Sequence, residues 1–175
     1  LLRERNIITS EMETSSLSRV IIERENDFSV LVNDEDHFRI QVLRPGLQLF
    51  ECYNLADSVD DSLNRVVKYA FSERFGYLCA NPSDSGTGLK VSVIMHLPAL
   101  VLQKKLNSHI NEIRDRGYLI NGTLGNGGRV IGGLYHICNN KSSGLSELEI
   151  LETADDVINR LIKNEDQARD EFFTN

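Results

Sequence analysis

No run of apolar residues approaches the roughly 18 that a membrane-spanning helix needs, and no signal peptide is visible. Basic residues are the minority, with 19 Lys and Arg against 26 Asp and Glu and a formal net charge of -7. That balance argues against broad nonspecific nucleic-acid binding and leaves room for a local basic site that takes an anionic ligand, while the lack of an apolar span argues against a membrane partner. Cysteine is scarce: Cys52, Cys79 and Cys138 are widely spaced and odd in number. They make neither a disulfide framework nor a CxxC metal pair, so a reducing, cytoplasmic setting is the simplest reading. The four histidines are scattered without an HExxH or HxxEH pair, which gives a catalytic zinc no support, and no metal site is expected. The stretch SDSGTGLK (83–90) lacks the GxxxxGK[ST] spacing of a phosphate loop. GNGGRVIGG (125–133) does not match GxGxxG and leads into a strand rather than a helix, which argues against a dinucleotide fold. Ser83 and Ser92 have no nucleophile-elbow context. Internal repeats and low-complexity segments are also missing.

What is present is ordinary for a globular protein. A length of 175 residues suits one domain with a substantial core, and 41% hydrophobic with 26% charged residues excludes a disordered chain. The chain begins LLRER rather than with Met, which raises the expectation of a piece of something longer. Residues 1–16 are polar and without period, and read as a linker; residues 17–175 read as the domain. SRVIIERE (18–25), FSVLVN (28–33) and HFRIQVLR (37–44) have the β-branched and apolar content of strands. Helical spacing of Leu49, Leu55, Val59, Leu63, Val66, Val67 and Phe71 predicts an amphipathic helix from Leu47 to about Glu73. The stretch 76–90 reads as a short strand followed by a Pro/Ser/Gly loop, and 90–97 as another strand. Pro98 opens a predicted helix over 98–116, two strands flank the glycine-rich loop, and Ser146 with Glu149 forms a capping box for the last helix. The order βββα–ββα–ββα, with short turns, predicts an α+β fold: a largely antiparallel sheet covered by three helices.

One interruption stands out. Asn33, Asp34, Glu35, Asp36 and His37 place three carboxylates and an imidazole between two strands. By itself this reads as a solvated turn, since acids tolerate tight turns and discourage edge pairing. Two other polar segments, NPSDSGTGLK and NGTLGNGG, also adjoin strands of the expected sheet. Strand ends gathered together would offer carboxylates, an Arg, a Lys and glycine-exposed N–H groups, a place for an anion beside a cation.

These residues carry a family resemblance. NDEDHFRIQ (33–41) stands where the phosphagen (guanidino) kinases have NEEDHxRIQ. PGLQL (45–49), YAFSERFGYL (69–78), GTGL (86–89), MHLPALVL (95–102) and NGTLGNG (121–127) extend the likeness from about residue 8 to 170. The chain resembles the catalytic domain of that family, and MHLPALVL marks the bacterial protein-arginine kinase branch. The resemblance implies ATP with Mg²⁺ as the phosphoryl donor, arginine-containing proteins as substrates or a partner regulator, and allows a homo-oligomer. It implies that Glu35 grips the substrate guanidinium and serves as general base, with Asp34 beside it at the substrate. Arg39, His37, Lys90 and Asn121 correspond to the nucleotide-facing positions. A carboxylate suits a guanidinium because the planar fork binds it bidentately and must lose a proton as it attacks.

Several signature positions depart from the family. The reactive cysteine of SCPTN or TCPSN is Asn81, and the arginine of GTGxR is Lys90, which keeps the charge but loses the fork. The arginine that opens RGT is Asn121, and the acid of GEG is Asn126. The family's N-terminal helical domain with its SSRIR motif lies outside these 175 residues, as does the segment that follows the domain in protein-arginine kinases. The expected activity is therefore a degenerate ATP:guanidino phosphotransferase. The competing expectation is a pseudokinase that docks arginine-containing proteins or an active partner without catalysis.

Overall fold

In the computed structural model, which describes residues 2, 7–23, 27–123 and 130–174, the chain divides into two compact units. The first comprises Leu1–Ser72 with Tyr77–Ala80, the second Glu73–Gly76 with Asn81–Asn175. The α+β expectation holds and all paired strands of the two larger sheets are antiparallel. Among the described residues the strands form two three-stranded sheets and one two-stranded sheet.

The first unit is built on a meander of β1 (Arg19–Ile22), β2 (Phe28–Val32) and β3 (Phe38–Val42). β2 is central, and its Ser29, Val30 and Leu31 are all buried, as an apolar run with covered faces should be. Residues 10–14, within the segment read as a linker, make a short helix α1 (Ser10–Thr14). Thr9 caps it by accepting from the Met12 N–H at 3.3 Å, and Ile7 and Met12 are buried. A five-residue helix is too short to print a period. Helix α2 (Leu49–Asn64) half-buries Leu49, Leu55, Val59 and Leu63, but it stops well before Glu73. The N–H groups of Val66 and Val67 both reach the Leu63 carbonyl at 2.9 Å, closing the helix. Val66 is 80% exposed, so its helical spacing in the sequence does not mark a core-facing position. Two-residue strands β4 (Phe71–Ser72) and β5 (Gly76–Tyr77) lie where the chain passes from one unit to the other.

In the second unit β6 (Ser92–His96) and β7 (Tyr118–Gly122) flank a central β8 (Leu134–Asn139). The long last helix, α5 (Glu147–Thr174), supplies the core stripe Ile150, Leu151, Ala154, Val157, Ile158, Leu161 and Ala168 at three- and four-residue steps. Its capping box forms as expected: the Glu149 N–H donates to Ser146 Oγ at 3.2 Å and the Ser146 N–H returns to Glu149 Oε2 at 2.7 Å. That N–H holds the Glu149 carboxyl below the usual carboxylate range. The helix predicted over 98–116 is broken into α3 (Pro98–Leu102) and α4 (Leu106–Asp115). Lys104 takes a left-handed φ of 58°, a conformation costing a non-glycine residue about 1 kcal/mol. No Gly or Pro announces the break. Contacts with α5 accompany it: Gln103 donates to the Ala168 carbonyl at 2.6 Å, and Glu165 caps α3.

That cap is a buried acid in an apolar stripe. Glu165 is 3% exposed and accepts from the Ala99 and Leu100 N–H groups at 2.9 and 3.0 Å. Those N–H groups open α3 and have no partner inside their own helix. Arg169, one turn along α5, stands 3.7 Å from the same carboxylate.

Candidate functional site

The NDEDH segment of the first unit is a tight loop between β2 and β3. Asn33 adopts a left-handed φ of 54°, which asparagine tolerates better than most residues. Its N–H reaches the His37 carbonyl at 3.0 Å, and the Asp34 N–H reaches the Asp36 carbonyl at 3.1 Å. The three acids of the loop have different surroundings. Asp34 was expected beside Glu35 at the substrate, but its side chain is only 4% exposed. It accepts from the Thr9 hydroxyl at 2.6 Å and pairs with Arg39 at 3.4 Å. Asp36 accepts from the Ala80 N–H at 2.7 Å. Glu35 is exposed and makes no hydrogen bond or ion pair among the described residues. Its neighbours are committed to holding the loop, and Glu35 is left as the carboxylate available to a cation. His37 and Arg39 are exposed beside it in sequence, with Arg39 opposite Leu31 in the sheet.

In the second unit Asn81 forms a turn. Its side-chain oxygen accepts from the Ser83 N–H at 3.1 Å and from the Ser83 hydroxyl at 2.9 Å. The GTG glycines that follow differ in purpose. A Cβ on Gly86 would lie 2.8 Å from the Ser142 carbonyl oxygen, so a close backbone approach requires glycine there. Beside Gly88 nothing lies within 4 Å. Lys90 is exposed and pairs with Asp84 at 3.2 Å.

The residues that hold Lys90 in place, Asn139 and Ser142, were not singled out from the sequence. Asn139, 2% exposed, accepts from the Val91 N–H at 2.8 Å and donates to the Leu89 carbonyl at 3.0 Å. Ser142, fully buried, donates to the same Leu89 carbonyl at 2.8 Å. The backbone on both sides of Lys90 is thereby fixed.

Asn121 is exposed on β7 and pairs across the sheet with His136 of β8, which in turn pairs with Ile94 of β6. By strand alternation this row lies on the face opposite Ile120 and Ile137, both buried. Burial and then the Lys90 charge push the His136 imidazole below its ordinary pKa. Burial raises the Cys138 thiol, with Lys90 pulling the other way. The Lys90 charge thus acts, after burial, on two β8 residues, one of them the cross-strand neighbour of Asn121. His136 was not among the residues singled out from the sequence, since a lone histidine in a strand has no motif. Asn126 lies outside the described residues. Among the described residues no three His, Cys, Asp or Glu side chains cluster closely enough to hold a metal ion.

The fold is that of the guanidino kinases. The duplicated taurocyamine kinase of Schistosoma mansoni aligns with a TM-score of 0.79 at 23% identity, covering 94% of this chain and 24% of that one. A lombricine kinase aligns with a TM-score of 0.68 at 27% identity, over 85% of this chain and 41% of its own. The family model described as ATP:guanido phosphotransferase, C-terminal catalytic domain, matches residues 1–168, and the chain belongs to this family. Within it the chain is similar to the protein-arginine kinases of Desulforamulus reducens, 39% identical over 97% of the chain, and of Bacillus subtilis, 39% identical over 99%. It spans about half of their length, 48% in each case. No helix among the described residues is long and apolar enough to cross a membrane.

Proposed function

We propose that this chain is a degenerate protein-arginine kinase domain, which receives arginine side chains of proteins at Glu35 and holds ATP with a weakened phosphate clamp. The observation that carries the reading is the division of labour in the NDEDH loop: Asp34 and Asp36 are engaged within the protein and Glu35 is free. In the reaction of such a domain the guanidinium gives a proton to Glu35 as its nitrogen attacks the γ-phosphorus, and the bond to the ADP oxygen breaks. Arg39, His37, Lys90 and Asn121 are the nucleotide-facing residues of this reading, and Mg²⁺ enters with the phosphates. Asp34 serves the loop rather than the substrate.

Degeneracy rests on chemistry at named positions. Phosphoryl transfer depends on positioning and charge neutralisation, and removing one donor to the transition state costs about 10²–10³ in rate. Asn121 offers no charge and Lys90 no bidentate fork, while Asn81 and Asn126 replace two further signature groups. With ATP, Mg²⁺ and an arginine-rich protein, this chain is expected to form no phosphoarginine above background. Robust turnover that vanishes in Glu35→Gln would refute the degeneracy and show that Arg39 and Lys90 suffice. The uncharged Asn121 also favours a second reading, a regulatory module that docks arginine-containing proteins or an active relative.

Substrate recognition is testable apart from catalysis. An arginine peptide is expected to bind weakly, and Glu35→Gln to weaken it by about 1–3 kcal/mol, the contribution of a hydrogen bond to a charged group. NMR titration reads this directly. Equal binding by the mutant would return the loop to a solvated turn.

A further inference from the structure

We infer that Thr9 is a positioning residue for Arg39, acting through Asp34. The inference rests on the proposed reading only in assigning nucleotide phosphates as the anion that Arg39 faces. A carboxylate withdrawn from water needs donors, and Asp34, with its side chain 4% exposed, has one on each oxygen. Thr9 Oγ1 lies 2.6 Å from Oδ1, and Arg39 Nη1 lies 3.4 Å from Oδ2.

The direction of the Thr9 bond is set by chemistry. The hydroxyl accepts from the Met12 N–H at 3.3 Å, and an ionised carboxylate can only accept, so the single hydroxyl proton goes to Asp34. With Oδ1 held, rotation of the carboxylate is stopped and Oδ2 is presented to Arg39. Thr9 is itself fixed, because it caps α1 between the buried Ile7 and Met12. Arg39 spends one of its five N–H donors on Asp34, and its side chain is 52% exposed, so the remaining donors stay open to an anion. The hydrogen bond thus spans 25 residues and orders a long, entropically costly side chain before any ligand arrives.

The test compares Thr9→Val, which keeps the shape but removes the hydroxyl, with Thr9→Ser, which keeps the hydroxyl. NMR relaxation of the Arg39 Nε–Hε group in the ligand-free chain reads side-chain order, and titration reads ATP affinity. In Thr9→Val the Arg39 group is expected to lose order and ATP to bind roughly three- to tenfold more weakly, the effect of releasing one rotamer-rich side chain. Thr9→Ser is expected to match the wild type in both. Should Thr9→Val fail to fold, Asp34→Asn is expected to give the same loss of order at Arg39. An Arg39 group as ordered in the folded Thr9→Val or Asp34→Asn chain as in the wild type would overturn the inference. Loss of order at Arg39 together with ATP affinity unchanged by Arg39→Ala would support the link from Thr9 and overturn the nucleotide role of Arg39 instead.

Discussion

The double substitution Lys90→Arg with Asn121→Arg is expected to strengthen ATP binding by about 1.5–3 kcal/mol, roughly 10- to 150-fold. Both positions belong to the second unit and both are exposed, so longer side chains meet no packed core. His136, the cross-strand neighbour of Asn121, is pushed below its ordinary pKa first by burial and then by the Lys90 charge. The Lys90 ammonium is a point charge shared with Asp84 at 3.2 Å, whereas a guanidinium can keep that partner and still fork onto a phosphate. At Asn121 the change adds a full charge where there is none. Wild-type affinity is expected to be weak, near millimolar on the order expected for contacts that are mainly electrostatic and salt-screened. ADP should gain less than ATP if one restored arginine reaches the γ-phosphate. Calorimetric titration at fixed ionic strength measures both. A double mutant that folds normally yet binds ATP no better would show that these positions do not receive phosphates.

Glu165→Ala is expected to destabilise the chain by about 2–4 kcal/mol, because hydrogen bonds to a charged acceptor contribute about 1.5–3 kcal/mol each and removing the carboxylate orphans buried donors. The donors are the Ala99 and Leu100 N–H groups, and those residues are 5% and 1% exposed, so water does not readily replace the lost acceptor. The gain from no longer burying a carboxylate offsets part of the loss. Glu165→Gln retains one oxygen acceptor and is expected to fall between. Urea unfolding with the midpoint read at constant slope checks both variants. A shift of less than about 0.5 kcal/mol, the size of an ordinary surface substitution, would mean that α3 does not depend on this cap.

Much of the architecture is written locally. β-branched runs over 28–32 and 38–42 become antiparallel neighbours, and the Ser146–Glu149 box opens α5 where it was expected. The apolar spacing from Leu49 to Leu63 becomes α2, but its apparent continuation through Val66 and Phe71 does not, because spacing alone cannot distinguish a last helical turn from an exposed loop and a two-residue strand. The break at Lys104 was invisible for a related reason. Gln-Lys-Lys is good helix-forming sequence, and the residues that engage this region, Glu165, Ala168 and Glu171, stand more than 60 positions away.

The candidate site divides along the same line. Residue types and order alone marked the NDEDH loop, the GTG glycines and Lys90, since a guanidinium, a phosphate and a close backbone approach each demand particular chemistry. They also carried the family. The family motif singled out Glu35 over Asp34, but only the tertiary structure shows which carboxylate stands free. Thr9 and Arg39 enclose one of them, and the Ala80 N–H takes up Asp36. Only the tertiary structure, likewise, made Asn139 the brace of Lys90 and Asn121 the cross-strand neighbour of His136. The physical reason is range. Periodicity, caps and turns are interactions among residues a few positions apart, whereas the bonds that orient these side chains join residues 25, 44 and 48 positions apart, and their partners exist only once the chain has folded.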